Sequence, residues 1–397
     1  MPVDLRTLPA KLPLPRPPRH GRWCLIVLLC SMLVGALIVL LWPQSHWRMS
    51  LWFWCCVVVL PLIAGLVVYA LRLLAYERRG DYTQSWNQSR EEQEQVLIRQ
   101  GRRAVALLAS AYCTGAGNNQ IAQALRRGSK PLQPVYLESM GQTMRLSQLA
   151  PQALRHTQEE YAQRLAMCMQ QLLTGLDSDL QRYACSLPLC VRIRHNQVLG
   201  DEEVLSLWRS ARRREKADDQ VLFATQDDGL IWLDTWLDDP GQHRLLLSLE
   251  INLFVEPVAE HAESVSAVLL AVPDEGAAQK VAPMAWIHRP VRIADPACAL
   301  QDAFFWGGIP PGNSEYFTWL TQIPFDVLRD VSIALSAAGY PFDVAKYQSL
   351  DNSFGLPGCA VGNVALLLAC EQASVDRQAQ VVILQDASAQ VFVAQPA

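Results

Sequence analysis

Residues 23–42 (WCLIVLLCSMLVGALIVLLW) and 51–71 (LWFWCCVVVLPLIAGLVVYAL) contain no Asp, Glu, Lys or Arg, and only eight residues separate them. Each run is about as long as a helix must be to cross ~30 Å of hydrocarbon. A backbone in lipid has to satisfy its own hydrogen bonds, so both runs are read as helices. Trp23 and Trp42 bracket the first run, and Trp47, Trp52 and Trp54 crowd the start of the second. Indole rings favour the headgroup layer, so these residues mark the two interfaces. Pro61, inside the second run, is expected to kink it. A cleaved signal peptide has an apolar core of about 7–15 residues and a small-residue cleavage site. These runs are longer and come as a pair. Two buried helices of a soluble core would not need aromatic girdles or basic flanks.

The flanks orient the hairpin. Arg6, Lys11, Arg16, Arg19 and Arg22 precede the first run, and Arg72, Arg78 and Arg79 follow the second. The loop between them holds Arg48 alone. Positive flanks stay inside, so both termini are expected in the cytoplasm, with two passes. Residues 1–80 hold nine Lys/Arg against two Asp/Glu, which leaves 25 basic and 36 acidic residues in 81–397. An acidic soluble part argues against nucleic acid as a partner. Seven of the eleven cysteines lie beyond the anchor without CxxC spacing, a pattern of reduced, buried thiols. Cys185 and Cys190 would be the pair to bridge in an oxidising space.

The soluble part alternates helical and strand-like segments, which implies a mixed α/β fold. Helices are expected over 82–113 (one long helix or a pair broken near Gly101), within 116–130 (a short one), and over 151–175, 200–216 and 325–339. Strands are expected at 132–139, 187–195, 220–225, 230–236, 244–254, 264–272, 380–385 and 390–395. No internal repeat is visible. The expected organisation is a disordered basic N-terminus (1–22), a two-helix transmembrane hairpin (23–71) and a two-lobed soluble region, 80–257 and 262–397.

Candidate chemistry is sparse. Cys359 sits in SLDNSFGLPGCAVGNVALLLAC (349–370), beside a helix start that would favour a thiolate. A nucleophilic Cys also needs a base, and no His stands nearby in sequence. Gly355, Gly358 and Gly362 read as a structural turn before a buried helix. Cys298 lies between Asp295 and Asp302, again without a His. CTGAGNN (113–119) lacks the Lys-Ser/Thr of a phosphate loop and the third Gly of a dinucleotide fingerprint. Asp234, Asp238 and Asp239 form either a solvated turn or a cation site. RSARRREK (209–216) reads as a charged helix face. No His/Cys set has metal-ligand spacing. No cofactor or metal is therefore expected.

The stretch YQSLDNSFGLPGCAVGNVALLLACEQ (347–372) resembles a segment of type VI secretion accessory proteins of the lipase-adaptor family, through LDN, FGLPG and GNVALLLA. That resemblance implies a bacterial inner-membrane adaptor whose partners are other proteins, a secretion effector or spike component, and the lipid bilayer. FGLPGCAVGNVALLL is also similar to the Gly-rich turn near the end of ketoacyl synthases, which implies a thiolase-like fold in the C-terminal part. No HGT- or NxGH-type histidine motif accompanies it. The leading expectation is a membrane-anchored, non-enzymatic adaptor. The alternatives are a membrane-tethered enzyme using Cys359 or Cys298, and a structural subunit of a membrane complex.

Overall fold

The computed structural model describes residues 3–42, 50–138, 140–153, 155–184, 188–212, 219–224, 228–238, 245–272, 282–313, 315–340 and 343–397. Its contacts gather into two units, residues 4–98 and a larger body built from 99–397.

In the first unit, α1 (His20–Leu41) runs antiparallel to a second helical stretch. That stretch comprises α2 (Leu51–Trp54), a π-helical turn (Cys55–Val59) and α3 (Leu60–Gly101), whose last three residues belong to the larger body. Both helical stretches are apolar and long enough to cross a membrane. Most of their Leu, Val and Trp side chains are exposed, as lipid-facing residues are. The pairing is fixed along its length. His20 Nδ1 and the Tyr69 hydroxyl share a hydrogen bond of 2.5 Å, and Ser31 Oγ donates to the Pro61 carbonyl at 3.2 Å. Trp42 meets Phe53 edge-on.

Pro61 has no N–H to offer the carbonyl four residues earlier, that of Val57. The π-helical turn ends just before it, and the Val57 oxygen lies against Gly35, 2.7 Å from where a Cβ would stand. Gly65 packs over Val27 in the same way, again with 2.7 Å to a would-be Cβ. Small residues let helix backbones approach this closely in lipid. The expected disorder of 1–22 does not hold for the described residues. A 3₁₀ turn at Leu5–Thr7 is followed by an extended arm bonded to α3: Leu12 N–H donates to Asn87 Oδ1 at 2.9 Å, and Asn87 Nδ2 returns a bond to the Leu12 carbonyl at 3.0 Å.

The larger body is a duplicated fold. Its first half contains β1 (Ala104–Thr114), α4 (Ile121–Arg126), the hairpin β2 (Pro134–Leu137) and β3 (Gln142–Arg145), α5 (Gln158–Ala184), β4 (Leu189–His195), α6 (Asp201–Arg212), β5 (Gln220–Phe223), α7 (Trp232–Asp238), β6 (Leu245–Asn252) and β7 (Ser264–Ala271). The second half contains β8 (Ala285–His288), β9 (Val291–Arg292), α8 (Pro296–Trp306), β10 (Tyr316–Thr321), α9 (Phe325–Ala337), β11 (Tyr347–Ser349), α10 (Val361–Asp376), β12 (Ala379–Gln385) and β13 (Ala389–Pro396). The main strands are β1, β4, β5, β6, β7 in one half and β8, β10, β11, β12, β13 in the other. Numbered within each half, both sets follow the sheet order 3-2-4-5-1, with the fifth strand antiparallel to its neighbours. The halves join first strand to first strand, β1 against β8. The repeat is therefore structural, although none shows in the residues.

Helices fill both faces. The outer α5 and α6 bury Leu165, Leu172, Leu176 and Trp208 against Val191, Ile193 and Leu249. In the second half α8 packs on α9 and β13. The inner layer is α10 with α7. Twelve of the sixteen residues of α10 are buried, and it touches strands of both halves. It is apolar and long enough to resemble a membrane span, yet it is the central core helix.

Three expectations need correction. Residues 104–113 continue no helix but form β1, whose Val105–Leu108 are buried on both faces. A doubly buried strand is a continuous apolar run, and periodicity alone does not separate it from a helix. Residues 230–236 are not a strand. They run into α7, and β5 lies parallel to β4. The boundary expected at 257–262 falls before β7, which pairs with both β6 and β1, so the first half extends to Ala271.

Candidate functional site

The turns leading into the two inner helices occupy equivalent places in the two halves, and each is held by the opposite half. Before α7, the Gly229 N–H donates to Asp386 Oδ2 in the β12–β13 connection at 2.7 Å, and the Leu230 N–H to Gln390 Oε1 at the start of β13 at 2.9 Å. Gln390 Nε2 bonds Asp228 in return. Before α10, Leu356 receives the Ala262 N–H at 2.9 Å. The Cys359 thiol donates to the Ile251 carbonyl at 3.1 Å, at the end of β6. Gly229, Gly355 and Gly358 have positive φ, as such tight turns require. A Cβ at Gly358 would stand 2.5 Å from Asn252 Oδ1.

Charged groups fill the junction between these turns. Arg192, Arg194 and Glu250 are buried in neighbouring strands. Arg192 NH1 pairs with Glu250 Oε1 at 3.2 Å, and Arg194 NH2 with Asp386 Oδ2 at 2.5 Å. Glu250 Oε2 accepts the Asn363 N–H at 2.7 Å in the first turn of α10, where a carboxylate meets the positive end of the helix. Gly362 is compatible with this arrangement, since its would-be Cβ lies 3.1 Å from Glu250 Oε1. Burial pushes the Glu250 carboxyl up, while Arg192, Arg194 and the Asn363 N–H pull it down. In the sequence these charges sit inside strand-like runs, VRIRH and SLEIN. The available signal was a charge spaced two residues apart inside an otherwise apolar run.

Cys359 lies in this junction with its thiol protonated. Burial, and next the Glu250 charge, push it up to about 12. His261 joins Leu356 through the backbone, but its ring packs edge-on to Phe254 and bonds the Ala259 carbonyl. Cys298 lies elsewhere, half-buried in the first turn of α8 behind the capping Asp295. In CTGAGNN, Cys113 is buried in β1 and the loop spends its donors on itself, with the Thr114 hydroxyl bonding the Gly117 carbonyl at 2.6 Å. Asp234 and Asp238 are one turn apart on α7 and are both taken by Arg289, at 2.6 and 2.5 Å. The cation-site and solvated-turn readings are both corrected there; Asp239 lies outside the described residues, as do Cys185 and 213–216, while Arg209 and Arg212 lie in the last turn of α6. Among the described residues no group of His, Cys, Asp and Glu is placed to hold a metal ion.

Beside α7 opens a cleft of about 580 Å³, lined by Arg192, Leu222, Phe223, Trp232, Trp236 and Arg292 among others. The Arg192 guanidinium lies over the Trp232 ring, 4.3 Å from its centre. Arg292 comes from the second half and pairs with Asp228 at 3.2 Å. Cys359 is not part of the lining.

No known family profile matches the sequence, and neither does any curated protein. Solved structures do match, among them three at low identity. An oxazolomycin ketosynthase domain from Streptomyces albus is 11% identical, with 74% of this chain and 75% of that one covered and a TM-score of 0.51. A beta-ketoacyl synthase from Burkholderia phymatum is 9% identical over 74% of this chain and all of that one, with a TM-score of 0.51. A type II polyketide ketosynthase, described in complex with its acyl-carrier protein and bound to a hexaketide, is 10% identical over 75% of this chain and all of that one, with a TM-score of 0.50. The fold is thiolase-like. This corrects the expectation of a type VI secretion adaptor: the 347–372 segment that carried it is the turn and central helix of a ketosynthase-like architecture.

Proposed function

We propose that this chain is a membrane-tethered protein of the condensing-enzyme fold that takes an acyl thioester in the cleft beside α7. The observation that carries this reading is the cleft lining itself. Leu222, Phe223, Trp232 and Trp236 offer an apolar and aromatic wall, and Arg192 and Arg292 bring guanidinium groups to it. Such a lining suits a ligand with an apolar chain and an anionic end. The ketosynthase-like fold supports the acyl class. Direct acyl transfer to Cys359, the cysteine-dependent alternative, finds support in its place at the start of α10 but requires a thiolate that its surroundings disfavour.

The anchor is proposed to cross a bacterial inner membrane twice, with both termini cytoplasmic, on the strength of the basic flanks. The test uses the detergent-solubilised full chain and a long-chain acyl-coenzyme A, followed by tryptophan fluorescence. Saturable quenching is the expected result, with Trp232→Ala and Arg292→Gln each weakening binding at least tenfold. No saturable binding, or equal binding by both variants, overturns the reading.

A further inference from the structure

The extended arm bonded to α3 encloses something besides helix surface. Leu12 is locked to Asn87 by the reciprocal pair described above. Arg90 Nε donates to the Pro9 carbonyl at 2.8 Å, and Lys11 pairs with Glu91 at 2.7 Å. Nearer the membrane, Pro15 lies over Gly80, 4.0 Å from where a Cβ would stand. Between arm and helix is an opening of about 370 Å³, lined by Leu12, Pro13, Pro15, Arg78, Arg79, Tyr82 and Thr83. Thr83 is buried and its hydroxyl donates to the Arg79 carbonyl at 2.8 Å. Among the described residues neither the Arg78 nor the Arg79 guanidinium has an ion-pair partner, although Glu77 and Asp81 lie on the same helix. The opening is thus apolar on the arm side, cationic on the helix side, and without an internal counter-ion.

Its height relative to a bilayer follows from the helix. Tyr69, His20 and Trp23 cluster at the same end of the hairpin, where aromatic rings mark the headgroup layer. α3 rises about 1.5 Å per residue, so Arg78 and Arg79 start roughly 14 Å beyond Tyr69. Helical Cα–Cβ bonds tilt toward the N-terminus, which on α3 is the membrane side. Both stems therefore reach back toward the lipid phosphates, as long basic side chains do near helix ends. Arg16, Arg19, Arg22 and Arg72 surround the same end and have no ion-pair partner among the described residues.

We propose that this opening binds the phosphate of an anionic phospholipid headgroup. Arg78 and Arg79 hold the phosphate, and Leu12, Pro13, Pro15 and Tyr82 cover the glycerol side. The shared chemistry with free phosphate is a guanidinium–phosphate contact, and the test separates the two sources. The full chain in a non-ionic detergent is titrated with phosphatidylglycerol, phosphatidylcholine or inorganic phosphate, and bound ligand is read by native mass spectrometry. One phosphatidylglycerol per chain is expected, retained at least tenfold better than phosphatidylcholine and undisturbed by millimolar phosphate. The Arg78→Gln/Arg79→Gln double variant is expected to lose about thirtyfold in retention, two attractions of the usual size for a basic residue at an anionic surface. Asn87→Ala, which frees the arm and leaves both arginines in place, is expected to lose retention too. Circular dichroism checks that all variants stay helical. Equal retention of the two lipids, unchanged retention by the double variant, or displacement of the lipid by phosphate overturns the proposal.

Discussion

The state of Cys359 gives the sharpest experimental handle on this protein. Burial beside Glu250 places its pKa at about 12. At pH 7.5 about one in 30,000 such thiols is ionised, against roughly one in ten for a free cysteine of pKa ~8.5. That is about a 3,000-fold deficit in thiolate. A more basic thiolate is also a better nucleophile, and with a Brønsted coefficient of about 0.45 this returns some 40-fold. Iodoacetamide should therefore alkylate Cys359 about 100-fold more slowly than glutathione, and more slowly still if its limited access restricts the reagent. The rate should climb tenfold per pH unit without levelling off up to pH 10. The assay is quenched alkylation of the full chain in detergent, with peptide mass spectrometry resolving each cysteine. Labelling within tenfold of glutathione, or a plateau below pH 9, would refute the argument and return Cys359 to the role of nucleophile.

Other residues give further tests. Gly35→Val forces a side chain into the Val57 carbonyl, and overpacking of this kind costs about 1–3 kcal/mol; protease resistance of the hairpin in detergent should fall, whereas Gly21→Val, whose would-be Cβ meets nothing within 4 Å, should be silent. Arg289→Met strands two carboxylates in a buried setting and should destabilise the larger body by about 3–5 kcal/mol in urea titration, with little change counting against the ion-pair cluster. His288 is held down to about 4 by burial and next by Arg102. Its folded pKa lies below the unfolded value of ~6.5, so the stability it contributes is present above pH 6.5 and is lost as pH falls toward 4. A His288→Gln chain should show a flatter stability profile across that window.

What the residues disclose on first reading depends on whether a local pattern has one physical cause. The uncharged runs at 23–42 and 51–71 have one, so the apolar helices of the anchor were legible. The mixed α/β class was legible too, because β6, β7, β12 and β13 are short apolar runs between turn residues. β1 was not, since an apolar run at the end of a polar helix has two solutions and only the flanking β7 and β8 decide between them. α7 was hidden by Trp232, Leu233 and Trp236, residues equally at home in a strand. The duplicated topology leaves no trace of shared residues, because packing asks only for hydrophobic side chains of suitable size. The clamp around Cys359 depends on Glu250, Asn252 and Asp386, which reach it only through the fold. The similarity of FGLPGCAVGNVALLL to a ketosynthase turn pointed to the right architecture, whereas the secretion likeness of the same residues did not.

The contact between Gly35 and Val57 bears on how the proposed anchor would enter a bilayer. Released from the translocon alone, the second segment would carry its π-helical turn and Pro61 into hydrocarbon without Gly35 packed over the Val57 carbonyl. If the chain crosses twice, as proposed, that close fit favours entry of the two segments together as a preassembled hairpin.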